Sequence, residues 1–463
     1  MLSLEIGVAS KCISVNRHFQ PSHYRKIFNI ALPVGLEAIF QASFSLIDQI
    51  IVGSLGASAV AAVGLSNNLS FILTLLYAAI GTGSGVFIAQ AYGRRDMDEV
   101  SKIAAIGQTA AAILGICSAI PLVLFPSPIL RLVGAQEELV KTAAVYLQLF
   151  AASAPLNVMS AVTTATFRSM SDSRTPMVIT IASVCLNTLL ALLLVLGIGG
   201  FPKLGVAGAG LATLISQGVR AVLLVAVLYL VKKGMRWHWP GRSIVTGICP
   251  SLLKTTYPIA LSEMLWGTSA FVYVVIFTRI STEALASSQI VTTVENLFIV
   301  AASGLAPAAV ATVGQALGAD ARQVAREQAR RVLKAAVVAG LLLTAALAGV
   351  SFLLPELYPR VDRQVLNLAF WGIIIVAAVQ PAKAINNVLG TGTLPSGGDT
   401  KFVLFSHVVS SYAVGLPIAA STVLLLRWGP LSVFASKALE ELLKSGLLFA
   451  RYRTRVWQRE LRT

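Results

Sequence analysis

The second half of this chain repeats the first half about 225 residues later. The segment "AQAYG", which begins at Ala89, is matched by "GQALG", which begins at Gly314. Further along, "TFRSMSDSR" from Thr166 is matched by "TLPSGGDTK" from Thr393, at an offset of 227. A nearly constant offset over such a length indicates duplication, so we expect the chain to fold as two similar units.

The composition indicates that both units lie in a lipid bilayer. Hydrophobic residues make up 56% of the chain and charged residues only 12%, and the mean hydropathy is +0.78. Average soluble domains carry roughly 25% charged residues. Each helical span needs ~20 apolar residues, so 463 residues leave room for about twelve spans with short loops. The sequence therefore predicts an all-α membrane protein with twelve transmembrane helices in two parallel-repeat six-helix bundles.

The predicted spans define the expected domains. We expect an N-terminal segment at 1–26, a first lobe at 27–231, a linker at 232–256 with an interfacial helix near 244–253, a second lobe at 257–450 and a basic tail at 451–463. Spans 1 to 12, numbered in chain order, are placed at 27–52, 60–91, 103–125, 140–167, 176–198, 207–230, 257–280, 284–317, 332–354, 365–389, 402–426 and 431–448.

The basic residues fix the expected orientation. With both termini on one side of the membrane, that side holds 26 of the 36 Lys and Arg residues and the opposite side holds 7. Because cytoplasmic loops are enriched in Lys and Arg, we expect both termini in the cytoplasm of a multi-pass cell-membrane protein (plasma or inner membrane). The net charge of +16 is spread over many loops, so it does not indicate a nucleic-acid partner.

The sequence contains no motif typical of an enzyme or an ATP-driven pump. We find no dinucleotide fingerprint, P-loop, nucleophile elbow or metal-ligand cluster, so neither a cofactor nor a metal is expected. The four cysteines show no paired spacing, and the first 26 residues lack the apolar core of a cleavable signal. If the chain is a transporter, it uses an ion gradient or works passively.

Several segments in order resemble one family. The run "ALPVGLEAIFQASFSLIDQIIVG" (31–53) has Pro near its start, Gln midway, then Asp before an apolar run that ends in Gly. It is followed by "AAVGL", "AQAYG", "FRSMSDSRTPM", "GVAGAGLAT", "GTGTLPSGGDTKF" and "ALEELLKSGLLFARYRTRVW". From residue 27 to 457 the chain resembles the multidrug and toxic compound extrusion (MATE) transporters. The resemblance implies a V-shaped pair of six-helix lobes around a central cleft, and export of organic cations or other amphiphiles driven by H⁺ or Na⁺.

Asp48 in span 1 is the first candidate for ion coupling. A carboxylate at bilayer depth is costly unless it is paired, hydrated or protonated, although a residue at the wet end of a span could instead cap a neighbouring helix. The resemblance implies a coupling role for Asp48, with Asn187 of span 5 near it. Some family members carry Asp where this chain has Ala191. That difference removes a charged Na⁺ ligand and favours a proton.

Glu263 in span 7 and Lys383 in span 10 form the second candidate. The resemblance matches Glu263 to the glutamate of a second-lobe cation site, whose partner in span 10 is acidic in NorM-type members. Here Lys383 occupies the partner position, so we expect a buried Glu263–Lys383 pair. Three roles stay open for it: a structural lock, an internal cation that replaces Na⁺, or a proton-linked switch.

Polar and aromatic side chains in the spans are candidate substrate contacts. Taken one at a time, the polar residues are more simply explained by interhelical hydrogen bonds and the aromatic ones by core or lipid contacts. Glu37 either lines the cleft or lies near its helix end. Aromatic faces attract organic cations. The candidates are Glu37, Gln41, Phe44, Asn67, Asn68, Trp266, Tyr273, Glu295 and Asn296.

The sequence favours a monomeric secondary exporter of organic cations or amphiphiles, coupled through Asp48 to H⁺ rather than Na⁺. One alternative is a flippase for lipid-linked saccharides, which would need a strongly cationic cavity. Arg220 is the main basic residue that we place inside the first-lobe spans, although Lys383 keeps this alternative open. A second alternative is a membrane receptor or scaffold that transports nothing. At the offset of 225, Asp48 falls opposite Tyr273, so the repeat has not duplicated its charged groups.

Overall fold

A computed structural model describes residues 23–132, 135–239 and 241–461 of the chain. In these ranges the chain is helical and forms no β-strand. The predicted N-terminal segment lies outside the described residues as far as residue 22. The last two residues of the basic tail also lie outside them.

Each predicted span corresponds to a helix or to consecutive helices. The first half contains His23–Gly53, Ala57–Gly93, Met97–Leu124, the pair Glu137–Ala152 and Ala154–Ser169, Arg174–Leu196, and Val206–Ala226 continued by a π-helical turn at Val227–Val231, with the short helices Pro126–Leu132 and Ile198–Gly200 between them. The second half contains Arg242–Thr278, the pair Thr282–Ala302 and Leu305–Gly318, Arg322–Ser351, the short Leu354–Leu357, the series Arg363–Ala378, Gln380–Asn387, Val388–Thr393 and Leu394–Ser396, the series Thr400–His407, Val408–Gly415 and Leu416–Leu424, and Leu431–Thr454.

Length and hydropathy agree with the predicted number of spans. Among the described residues, eight helices are long and apolar enough to cross a membrane, and three bent pairs raise the number to eleven. The remaining helix, Leu431–Thr454, is long enough but carries Lys437, Glu440, Glu441 and Lys444 near its middle. These charges explain why it does not look like a span by composition, and the total is consistent with twelve.

Spans 4 and 10 bend at matching places. Span 4 bends by 41° and span 10 by 50°. In each, a proline (Pro155 or Pro381) lies in the first turn of the helix that follows the bend. Proline is accepted in a first turn, but beyond it the missing N–H and the clash of the ring with the preceding turn favour a bend or a break at that place. The duplication has therefore preserved this pair of bends as well as the helices.

The linker differs from expectation at its end. A single helix runs from Arg242 to Thr278, so the interfacial helix expected near 244–253 is not a separate element but the first part of span 7. Ahead of that helix, Trp237 makes edge-on ring contacts with Tyr229 and Trp239 at 5.2 and 6.2 Å. The linker is thereby attached to the end of span 6 through aromatic packing.

The two halves are joined by hydrogen bonds at one end, where span 1 begins and span 12 ends; we call this the termini side. Nε2 of Gln90 donates to the carbonyl of Ser396 at 2.6 Å, and Nε2 of Gln315 donates to the carbonyl of Ser169 at 2.6 Å. Gln90 and Gln315 occupy matching positions in the repeats, as do Ser169 and Ser396. The joint is therefore reciprocal, because each half supplies the same donor to the other.

The oxygen of each glutamine amide is occupied near a chain end. The backbone N–H of Leu461 donates to Gln90 at 2.7 Å, and Nζ of Lys26 donates to Gln315 at 2.8 Å. Arg94 also pairs with Glu460 at 3.5 Å. The interhalf hydrogen bonds that we find among the described residues all lie on the termini side. There the structure is closed.

Two matching glycines allow the backbones to cross at this joint. A Cβ atom added to Gly93 would lie 2.1 Å from the carbonyl oxygen of Gln315, and one added to Gly318 would lie 1.9 Å from that of Gln90. Neither distance is tolerable, and the obstacle in each case is backbone that cannot rotate away. The closed joint therefore requires glycine at both positions.

We predict that Gly93→Ala opens the termini side. Spin labels at the exposed positions Arg95 and Arg322, in a background without the native cysteines, should show a longer and broader distance distribution than in the parent protein. Gly64→Ala, in the same helix as Gly93, is the matched control. The methyl group added there meets no atom of another helix within 4 Å. Identical distributions for both variants would contradict the steric argument.

Candidate functional site

Asp48 lies partly buried in span 1 and contacts only neutral donors. Thr188 Oγ1 donates to Asp48 Oδ1 at 3.2 Å. When the Asn187 amide is oriented by its neighbours, its NH₂ group donates to Asp48 Oδ2 at 2.7 Å and its oxygen accepts from Ser216 Oγ at 3.1 Å. Among the described residues no Lys or Arg pairs with Asp48. Its charge therefore has hydrogen-bond support but no fixed counter-ion.

A central cavity of about 460 Å³ lies between the two halves. Its charged lining residues are Glu37, Arg168 and Arg220, and Gln41 lines it as well. Arg168 Nη2 contacts Glu37 Oε2 at 2.7 Å, and Arg220 Nη2 lies 3.8 Å from Glu37 Oε1. The Glu37 carboxylate is thus turned towards two arginines. The sequence made Glu37 a candidate contact for the substrate, but in this structure its carboxylate is engaged by arginine.

A second cavity of about 540 Å³ lies in the second half. Lys383 lines it, but its partner is Glu295 at 2.5 Å, and Gln380 also donates to Glu295 at 2.7 Å. The expected Glu263–Lys383 pair is therefore wrong. Glu263 lines the same cavity, and no hydrogen bond or ion pair joins it to Lys383 in the described part of the chain. Lys383 lies just after the bend in span 10.

Span 12 supplies charged groups that the sequence analysis did not assign to a site. Glu440 accepts from the Tyr273 hydroxyl at 2.7 Å and from the Ser411 hydroxyl at 2.5 Å, and Glu441 accepts from Asn386 at 2.7 Å. Glu440, Glu441, Tyr273 and Asn386 line the second cavity. The sequence signal was a helical spacing that places four charges on one face of span 12: Lys437, Glu440, Glu441 and Lys444.

His407 was also missed. It is buried, it lines the second cavity, and its Nδ1 lies 2.9 Å from Nζ of Lys444. Because an ammonium group only donates, Nδ1 accepts this bond and the proton of the neutral ring belongs on Nε2. No sequence motif surrounds this histidine, so only the fold brings it to the cavity.

The remaining candidates separate into two groups. Trp266, Tyr273 and Asn296 line the second cavity together with Phe71, and the rings of Phe71 and Trp266 lie 6.5 Å apart across the two halves. Phe44 and Asn67 line neither cavity. Phe44 packs against Phe40, and Asn67 accepts from Tyr146 at 3.4 Å. The side chain of Asn68 lies outside the described residues.

The two cavities adjoin. Asn387 and Thr391 of span 10 line both. Two tandem helical bundles, a cavity between them and ionisable side chains at membrane depth define a secondary transporter of the repeat-built type.

The comparisons with known proteins place this transporter in a family. The sequence profile of the MatE family matches residues 33–193 and again 258–420, and the second match starts 225 residues after the first. The probable multidrug resistance protein NorM of Thermotoga maritima is 25% identical over 455 residues, with 95% of this chain and 94% of NorM covered. The FAD transporter of Shewanella oneidensis is 27% identical over 372 residues, with 77% and 79% covered.

Solved structures show the same fold. A crystal structure of a mutant of the Vibrio cholerae MATE transporter VcmN superposes with a TM-score of 0.85 at 18% identity, over 93% of this chain and 96% of that one. The chain belongs to the MatE family of multidrug and toxic compound extrusion transporters. It is a multi-pass membrane transporter for small organic substrates, works on an ion gradient without a cofactor, and is not an enzyme.

We predict that Glu295→Gln destabilises the protein by about 3–5 kcal/mol, because it leaves the buried ammonium of Lys383 without its carboxylate. Thermal unfolding in detergent measures the loss, and the double variant Glu295→Gln with Lys383→Met should recover part of it. Glu283→Gln, at an exposed position near the start of the same span, is the control. Equal stability of Glu295→Gln and Glu283→Gln would show that the pair contributes nothing.

Proposed function

We propose that this protein exports small amphiphilic organic molecules in exchange for protons that bind and leave Asp48. The observation that carries the proposal is the surroundings of Asp48: neutral donors hold it, whereas Glu37 and Glu295 are paired with basic side chains. A carboxylate without a fixed counter-ion can take up and release a cation. One that is locked in an ion pair does so only when the pair breaks.

The groups around Asp48 favour a proton over Na⁺. Sodium in proteins is held by several oxygen ligands, but here Asn187 turns its NH₂ group, not its oxygen, towards the carboxylate. The position four residues after Asn187, which carries a second carboxylate in some relatives, is Ala191 in this chain. Asp48 would therefore offer Na⁺ few ligands, whereas protonation needs none.

The orientation follows from the distribution of basic residues. We place the termini side in the cytoplasm, because most Lys and Arg residues lie at that end. Two of the 26 basic residues assigned to that side line cavities instead: Arg168 lines the central cavity and Lys444 the second cavity. The joint at Gln90 and Gln315 then closes the cytoplasmic end, so the structure represents an outward-facing state.

The proposed cycle couples the proton to substrate release. In the outward-facing state Asp48 is protonated, which removes its attraction for cationic groups and weakens its hydrogen bonds to span 5. The halves then separate on the cytoplasmic side, Asp48 loses its proton there, and a new substrate binds. Coupling requires only that the two ligands favour different states of the same equilibrium.

The names of relatives support small organic substrates, since one is a probable multidrug resistance protein and another an FAD transporter. The flippase alternative is less well supported. A pyrophosphate headgroup would meet only two arginines beside a glutamate in the central cavity, and four glutamates line the adjoining one. One chain lines both cavities, so we propose that a monomer suffices for transport.

We predict that Asp48→Asn abolishes efflux driven by a pH gradient while the protein still folds. Dye transport in proteoliposomes, with pH and Na⁺ gradients applied separately, measures this effect, and thermal unfolding checks the fold. Glu138→Gln is the control. It changes an exposed carboxylate in the first turn of the helix Glu137–Ala152 and should leave transport unchanged. Gradient-driven efflux by Asp48→Asn at the parental rate would refute the proposed coupling, and efflux driven by Na⁺ alone would reassign the ion.

We predict that a cysteine at Arg95 reacts with a membrane-impermeant maleimide only after cells are permeabilised, whereas a cysteine at Arg360 reacts in intact cells. Both positions are exposed and lie at opposite ends of the bundles. The measurement uses a background without the native cysteines. The reverse pattern would place the termini outside.

A further inference from the structure

The central cavity presents arginine, not glutamate, to its contents. The side chain of Glu37 is 3% exposed, whereas those of Arg168 and Arg220 are 22% and 16% exposed. All three side chains line the cavity, but the carboxylate is less accessible than the guanidinium groups. A molecule that enters the cavity therefore meets N–H donors first.

Glu37 does not satisfy both arginines. Its hydrogen bond to Arg168 is 2.7 Å long, but the 3.8 Å separation from Arg220 exceeds hydrogen-bond length. The Nε atoms of both arginines are buried without a hydrogen-bond partner. With one acid and two bases among the lining residues, the cavity keeps one net positive charge.

The adjoining second cavity has the opposite balance. Glu263, Glu295, Glu440 and Glu441 face three lysines there, and Asn387 and Thr391 form a wall common to both cavities. The combined space therefore has a positive pole against the first half and a more negative pole against the second. Such a space suits a molecule with one anionic group and one cationic group.

We infer that Arg168 and Arg220 form a binding site for a carboxylate on the transported molecule, so that zwitterionic amphiphiles are preferred over purely cationic ones. The planar guanidinium fork matches the geometry of a carboxylate. A single net charge matches a monoanion. The inference rests on the proposed export through this cavity and specifies the chemical class of its substrate.

The experiment measures binding separately from transport. Fluorescence anisotropy of the purified protein is recorded with rhodamine B, which carries a free carboxylate beside its cationic xanthene, and with its ethyl ester, which is only cationic. We expect rhodamine B to bind about tenfold more tightly than the ester, as one charge-assisted contact of ~1.4 kcal/mol would give. Equal affinities for the two dyes would overturn the inference.

Two variants should move this preference in opposite directions. Arg220→Gln should reduce the preference to about twofold or less, because it removes the guanidinium that Glu37 does not hold. Glu37→Gln should raise the affinity for rhodamine B and leave that for the ester unchanged, because it frees the donors of Arg168. Arg360→Gln, at an exposed position, is the control. A purely structural role for the cluster would lower both affinities in both variants.

Transport distinguishes this inference from the proposed function. If both dyes are exported at equal rates and bind with equal affinities, the export function is supported and the carboxylate site is refuted. If the preference for the carboxylate depends on Arg220 but no gradient-driven efflux is seen, the carboxylate site is supported and the export function is refuted. If Glu37→Gln fails to fold, Arg220→Gln and the comparison of the two dyes on the parent protein still decide.

Discussion

The cost of placing charge inside a bilayer determines how this protein arranges its interior. An isolated charge at that depth is expensive, so Glu37 is turned to Arg168 and Lys383 to Glu295. Each pair faces an internal cavity and not the lipid. Among the described charges inside the spans of the first half, Asp48 is the exception, because only neutral donors hold it. The same constraint therefore separates the charges that stabilise the bundles from the one that we propose to carry the proton.

The two halves share backbone features, but their charged groups differ. The bends at Pro155 and Pro381 match between the halves, and so does the reciprocal joint of Gln90 and Gln315. These are features of backbone geometry, which both halves need in order to close against each other. The charged groups are not matched, and the two cavities consequently differ in polarity. The joint on the termini side is thus symmetrical, whereas the cavities between the helices are not.

Much of the fold followed from the sequence, because span length and hydropathy are local properties. Span 5, predicted at 176–198, is observed at Arg174–Leu196, and the structure brings Asn187 to Asp48 as the resemblance implied. The partner of Lys383 was predicted wrongly, because the contact with Glu295 depends on how spans 8 and 10 pack against each other and not on a local property of either span. Arg168 was counted as a loop charge. Its long side chain reaches back from the end of span 4 into the central cavity.

The sequence by itself determined the bilayer, the duplication, the family and the residues that cannot lie in lipid without a reason. Composition and spacing carry that information, since each span must satisfy its own backbone hydrogen bonds. Only the tertiary structure decided which charges meet. Contacts between helices depend on how the helices rotate and cross, as at Gly93 and Gly318, and a single span does not fix either of these. The positive pole of the central cavity is therefore a property of three helices together.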